Sequence, residues 1–355
     1  MLCQLVDTES VTGNEMEIML LLEELLRGEC DNVKRLPMDD GRFNLLASKG
    51  SGRPTLCLNA HSDTVPPSGR SLPEARRERG LVRGLGSCDD KASLVAMIEA
   101  FSDLDEGEME GRLDLLVSVD EEVSSRGVRT CVENGYRCDY AIVGEPTSLE
   151  AVIAHSGLIF LDLGTEGSGG HGSSPWKGNN AILAMVDFFR KLESEVSGFK
   201  DHPLVGKPSI NLGVIQGGDT TNRIPESCEA KVDIRIMPGM KVDSALEPVF
   251  SLAEEDGVQF SVFKTGGPME TGRDSRLLAE VLRTERDILG EAPEPIGFRG
   301  WTEADPLRNQ AGADVIVLGP GDVAQAHTPE EYVETSQIET ASRIYLESAR
   351  RLVGG

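Results

Sequence analysis

The stretch Thr55-Leu56-Cys57-Leu58-Asn59-Ala60 runs without a break into His61-Ser62-Asp63-Thr64-Val65-Pro66. Its first half is a short apolar run of the length of a buried strand. Its second half is a polar turn that opens with an imidazole. In open α/β sheets, ligand-binding groups gather just beyond the carboxyl ends of strands. His61 therefore reads as a candidate metal ligand, with a capping histidine as the alternative. Asp63 reads as a carboxylate for the other imidazole N–H, or as a plain turn residue.

The same pattern recurs outward from this point. The apolar run 113–119 (LDLLVSV) leads into Asp120-Glu121-Glu122, and the run 140–143 (YAIV) leads through Gly144 into Glu145-Pro146-Thr147. Near the other end, 315–318 (VIVL) leads through a Gly-Pro-Gly turn to His327-Thr328-Pro329-Glu330. Adjacent acids repel one another when buried, and no Lys or Arg follows Asp120 before Arg126. Bound metal is one way to offset that charge; a solvated acidic turn is the other. Neighbouring glutamates suit a division of labour, one as ligand and one as general base. The loop Gly84-Leu85-Gly86-Ser87-Cys88-Asp89-Asp90-Lys91 has neither GxGxxG nor Walker spacing, and it sets two aspartates where a phosphate would sit. That excludes a phosphate cradle and leaves an acidic helix cap or a metal-bridging carboxylate. Imidazole and carboxylate together suit zinc, cobalt or manganese.

Strand-like runs alternate with helix-like ones over 16–26, 91–104 and 336–352, which predicts an α/β catalytic portion with a mainly parallel sheet flanked by helices. The middle differs. Strands over 158–163, 209–216, 229–237 and 258–263 and helices over 180–192 and 242–254 follow the order βαββαβ, which predicts an inserted ferredoxin-like domain. The expected division is 1–155 with 266–355 for the catalytic portion and 156–265 for the insertion.

Composition narrows the function. Sixty acidic and 35 basic residues give a net charge of −25, so nucleic acid is excluded as a partner. No apolar run reaches membrane-span length and no secretory leader is recognisable, so the expected location is the cytoplasm. The seven cysteines are scattered without a CxxC and read as reduced and mostly buried. Of the five histidines, His155 reads as structural and His202 as exposed. Trp176 and Trp301 read as core or partly covered surface.

Taken in order, HSDTVP, GLGSCDDK, SVDEE, VGEPTS, GGHGSSP, GGDTTNRIPE, KVDIR, GWTEADP and LGPGDVAQAHTPEEY span nearly the whole chain. They resemble the dinuclear zinc aminoacylase and glutamate-carboxypeptidase family, which includes acetylornithine deacetylases and succinyl-diaminopimelate desuccinylases. The C-terminal stretch looks most like the former. The resemblance implies two divalent ions, zinc foremost, with Asp89 bridging them. It places His61 and Glu145 on one ion and Glu122 and His327 on the other. It implies Glu121 as general base, Asp63 behind His61, and a cis Asp89–Asp90 peptide. His171 of the inserted domain would serve a partner subunit's oxyanion in a homodimer. Arg235 and Asn222 would hold the substrate carboxylate, and Thr302 would contact substrate. The implied substrate is a small N-acyl amino acid or a short peptide, so the alternatives within the family are another aminoacylase, a carboxypeptidase or a dipeptidase. Outside it stand a metal-dependent binding protein, disfavoured by the complete set of acids and histidines, and a phosphoesterase, disfavoured by a single basic clamp candidate, Arg235. The sequence departs from the family pattern at Lys91-Ala92-Ser93 and at Gly300-Trp301-Thr302-Glu303-Ala304, which bears on the substrate pocket.

Overall fold

A computed structural model describes residues 1–67, 74–291 and 293–355. The chain forms two compact units: Met1–Ile153 with Glu270–Ile296 and Thr302–Gly355, and Ala154–Met269 with Gly297–Trp301. The second unit thus takes in Gly297–Trp301, which the sequence reading assigns to the catalytic portion.

In the first unit four strands lie parallel in the spatial order Arg112–Ser118, Thr55–His61, Tyr140–Val143, Asp314–Val317. Every residue of Thr55–His61 is buried, as expected of a central strand covered on both faces. Phe43–Gly50 pairs antiparallel with Arg112–Ser118, and Val33–Pro37 pairs antiparallel with Phe43–Gly50. The sheet continues beyond Asp314–Val317 through Val152–His155, where the chain passes into the second unit. Helix Lys91–Asp103 packs on the sheet and against Thr335–Val353. Lys49 Nζ caps the end of the first of these helices, donating to the carbonyls of Phe101, Ser102 and Leu104 at 2.8–3.1 Å. The parallel strands place His61, the turn after Ser118, the turn after Val143 and the loop after Val317 at one edge of the sheet.

The second unit is an antiparallel sheet in the order Ser209–Gly217, Ser227–Ile236, Gly157–Glu166, Gln259–Gly266. Helices Ala181–Ser197 and Val242–Asp256 cover one face, giving the βαββαβ ferredoxin-like arrangement. Asn180 caps the first helix, its Oδ1 accepting from Ile182 and Leu183 N–H. Leu161, Leu163, Met185, Phe188, Leu192, Val232 and Val249 fill the core between helices and sheet. Alternate residues of Ser227–Ile236 are buried, the period-two signature of a sheet with one covered face.

Candidate metal centre

His61, at the end of its strand, is almost wholly buried. Its Nε2 lies 3.1 Å from Asp89 Oδ1, and its Nδ1 lies 3.0 Å from the main-chain oxygen of Asp63. The sequence reading gives that contact to the Asp63 carboxylate, which stands farther off, at 3.6 Å. The carboxylate instead accepts the Thr12 hydroxyl at 2.7 Å and the N–H groups of Glu121 and Glu122 at 3.1 and 3.2 Å. Asp63 therefore ties the histidine turn to the acidic turn. Burial depresses the charged form of His61, but Asp63 and Asp89 outweigh it and raise the imidazole pKa.

Asp89 precedes helix Lys91–Asp103, and the Asp89–Asp90 peptide is cis. Its second oxygen, Oδ2, lies 3.5 Å from His327 Nε2. His327 Nε2 also lies 3.1 Å from Glu122 Oε1, and that contact lifts the imidazole to about 8. Potential ligand atoms of His61, Asp89 and Glu145 all fall within 4.8 Å of one another, as do those of Asp89, Glu122 and His327. One aspartate belongs to both sets, with a different oxygen toward each histidine. Burial pushes the Glu145 carboxyl well up, and the charges of Asp89 and Glu121 add to the shift, so Glu121 stands near the same centre. A crowded, largely buried group of acids with two imidazoles is a donor set that divalent cations fit.

Local backbone conformation aims these groups. Asp120 and His327 both adopt left-handed backbone, at φ 68° and 60°. Asp and His tolerate that region better than most residues, and such conformations gather at functional sites. Gly144 lets the end of strand Tyr140–Val143 approach the helix start: a Cβ there would stand 2.5 Å from Ser93 Cβ and 2.7 Å from Asp90 Oδ2.

One expectation about the acidic turn is corrected. Its charge has a cationic partner within the protein, at least for Asp120. Arg42 donates to Asp120 Oδ1 at 2.8 Å and to Glu15 and Asp40 at the same distance. Arg42 lies far upstream, so no reading of the local sequence finds it. Arg126 turns away and pairs with Asp39 and Asp40.

His171, Asn222 and Arg235 belong to the second unit. His171 is exposed, its Nδ1 2.8 Å from Ser173 Oγ. Asn222 Oδ1 accepts from the Thr220 hydroxyl, and Arg235 is engaged by Asp233 at 2.9 Å. Thr302 belongs to the first unit and is fully buried, its hydroxyl accepting the Ala304 N–H. Its neighbour Glu303 is also buried, which pushes its carboxyl to about 7, and Ser118 Oγ donates to it at 2.5 Å. Lys91 is buried with its Nζ on the carbonyls of Leu5 and Thr8. His202 is half-buried rather than exposed, its Nδ1 accepting from Leu204 and Val205 N–H. All seven cysteines are unpaired, with Cys3 and Cys30 only partly covered. Trp301 is buried and Trp176 lies open to solvent.

A parallel α/β sheet whose carboxyl edge gathers two candidate metal-ligand sets around a shared aspartate fits a class of metal-dependent hydrolases. Residues 57–351 match peptidase family M20/M25/M40, and the chain belongs to that family of hydrolases acting on amide bonds. It is 34% identical over 353 residues to an acetylornithine deacetylase of Proteus mirabilis (strain HI4320), covering 94% of this chain and 89% of the relative. Its fold is similar to that of an M20 family metallo-carboxypeptidase, Sso-CP2 of Sulfolobus solfataricus, with a TM-score of 0.85 at 19% identity over 98% and 97% of the two chains. It is similar also to the YXEP protein of Bacillus subtilis, described as a dinuclear metal binding peptidase, with a TM-score of 0.72 at 15% identity over 99% and 96%.

Proposed function

We propose that this hydrolase removes the acyl group from the nitrogen of an N-acyl amino acid, with N-acetylornithine as the leading substrate. The observation that carries the reaction is Asp89, which turns one carboxylate oxygen to His61 and the other to His327. Two divalent cations fit the donors, zinc foremost and cobalt or manganese after it. His61, Asp89 and Glu145 would hold one; Asp89, Glu122 and His327 would hold the other. When bound, such a pair polarises an amide carbonyl and acidifies an attacking water.

The residues of the chain do the rest. Glu121 takes a proton from the water as its oxygen adds to the acyl carbon, then delivers that proton to the amine nitrogen as the C–N bond breaks. The second proton of the water passes to the freed amine or to solvent, so that a carboxylate and a free amino acid result. Asp63 keeps Glu121 in place through the Glu121 N–H. His171, supplied by a partner subunit in a homodimer, donates to the developing oxyanion. Arg235 and Asn222 hold the substrate carboxylate. The identity with the Proteus mirabilis acetylornithine deacetylase supports the choice of substrate. The seven unpaired thiols support a cytoplasmic setting.

An amine-release assay tests the reading on N-acetylornithine, N-succinyl-diaminopimelate, other N-acetyl amino acids and dipeptides, with and without added zinc, cobalt or manganese. The expected result is metal-dependent release with the highest kcat/KM on N-acetylornithine. Release from dipeptides alone would make the protein a peptidase, and silence on every substrate would leave the fold as a binding scaffold.

A further inference from the structure

We propose that Glu331 is a positioning residue whose buried carboxylate locks the loop carrying Asp89 to the segment carrying His327, and so sets the cage for both cations. The inference rests on the two-metal reading above.

The loop 84–90 connects strand Leu81–Arg83 to helix Lys91–Asp103. Three of its backbone N–H groups converge on Glu331: Gly86 N donates to Oε2 at 2.9 Å, and Cys88 and Asp89 donate to Oε1 at 2.8 and 3.0 Å. Gly86 makes the convergence reachable, since its φ is +76° and a Cβ would meet Thr64 Cγ2 at 2.7 Å. Successive N–H groups around such a turn form an anion-binding nest. The sequence reading excludes a phosphate from this loop. The loop does cradle an anion, but it is the chain's own carboxylate, 3% exposed.

Glu331 stands four positions after His327 and directly before strand Tyr332–Glu334, which pairs antiparallel with Leu81–Arg83. Gly84 N also donates to the Glu331 carbonyl at 3.1 Å. Main-chain pairing thus fixes one side of the loop and the carboxylate fixes the other, ending on the N–H of Asp89 itself. Hydrogen bonds to an ionised acceptor are shorter and stronger than neutral ones. Both oxygens are in use, so an amide cannot replace them: its NH₂ would face a backbone donor. The next-door Glu330 is exposed, which makes it a control of the same charge.

The test uses full-length wild-type protein and the variants E331Q and E330Q. Each is stripped of metal, checked for folding by circular dichroism and titrated with zinc by calorimetry. Amide hydrogen exchange is followed at 86–89. Wild type should take up two equivalents. E331Q should keep its fold and bind both equivalents about 10–100-fold more weakly, since Asp89 serves both, with faster exchange in the loop. E330Q should match wild type. A folded E331Q with wild-type zinc affinity overturns the proposal while leaving the two-metal reading intact. A wild-type protein that takes up no zinc overturns both. Should E331Q not fold, E331D draws the carboxylate back by one methylene; it should weaken zinc binding likewise, and unaltered affinity there would equally defeat the proposal.

Discussion

The residues of the candidate metal centre and the candidate substrate residues of the second unit are secured in different ways. Around the centre local ties such as His61 to the Asp63 carbonyl are joined by many that reach far along the chain: Asp63 to Thr12, Glu121 and Glu122, Arg42 to Glu15 and Asp120, Glu331 to Gly86, Cys88 and Asp89. In the second unit His171, Asn222 and Arg235 each contact a residue two positions away, namely Ser173, Thr220 and Asp233. Long-range buried ties fix geometry, which a cage for ions requires to within about 0.5 Å. Local ties on exposed or partly exposed side chains leave them free to exchange a neighbour for a ligand. The difference separates a preorganised centre from an adaptable one.

Glu121→Ala gives the largest effect and the hardest test of the comparison. If the cage is secured without Glu121, the variant keeps its two metal equivalents while kcat falls by about 10²–10⁴-fold, the usual worth of a positioned proton carrier. Metal analysis beside steady-state kinetics decides it. Loss of an equivalent would mean that Glu121 is a ligand and that the cage is less self-sufficient than its ties suggest. His171→Ala comes next. Removing an oxyanion donor costs about 10²–10³-fold in kcat. Because the His171 side chain is exposed and bonds its near neighbour Ser173, its removal should leave the melting temperature unchanged. A drop in melting temperature with normal turnover would make it structural and erase the contrast between the two units.

The same contrast explains what was legible in the sequence. The parallel strands and the ligand candidates could be read because apolar runs ending in His, Asp or Glu are local patterns. The ferredoxin-like insertion was legible for the same reason, through alternation in 229–237 and an amphipathic run from Asn180. What local pattern cannot carry is the partner. Arg42 is separated from Asp120 along the chain by strands Phe43–Gly50, Thr55–His61 and Arg112–Ser118, so the acidic turn looked uncompensated when one of its acids was not. Glu330 and Glu331 look alike in sequence, yet only strand pairing with Leu81–Arg83 turns the second one inward. The burial of Thr302 was not legible either, because its place in a motif says nothing of its surroundings. Short edge strands such as Val33–Pro37 were missed because their exposed residues carry no apolar run.

The smallest effect is expected at Arg235, and it sharpens the account of adaptable ties. Arg235 and Asp233 lie on one strand, both partly exposed, and the guanidinium also stands 5.7 Å from the Phe160 ring. A pair this open contributes at most about 1 kcal/mol to stability, so Arg235→Gln should melt close to wild type. If the guanidinium exchanges Asp233 for a substrate carboxylate, its loss should raise KM about tenfold with kcat little changed, the signature of an interaction made equally in ground and transition states. Asp233→Asn then moves the other way. It removes the competing carboxylate and should lower KM, because the substrate no longer displaces an internal partner. Opposite shifts of KM in the two variants would establish the exchange. Equal rises in both would show that Asp233 aligns Arg235 rather than competing for it, and the second unit would then be preorganised in the same manner as the first.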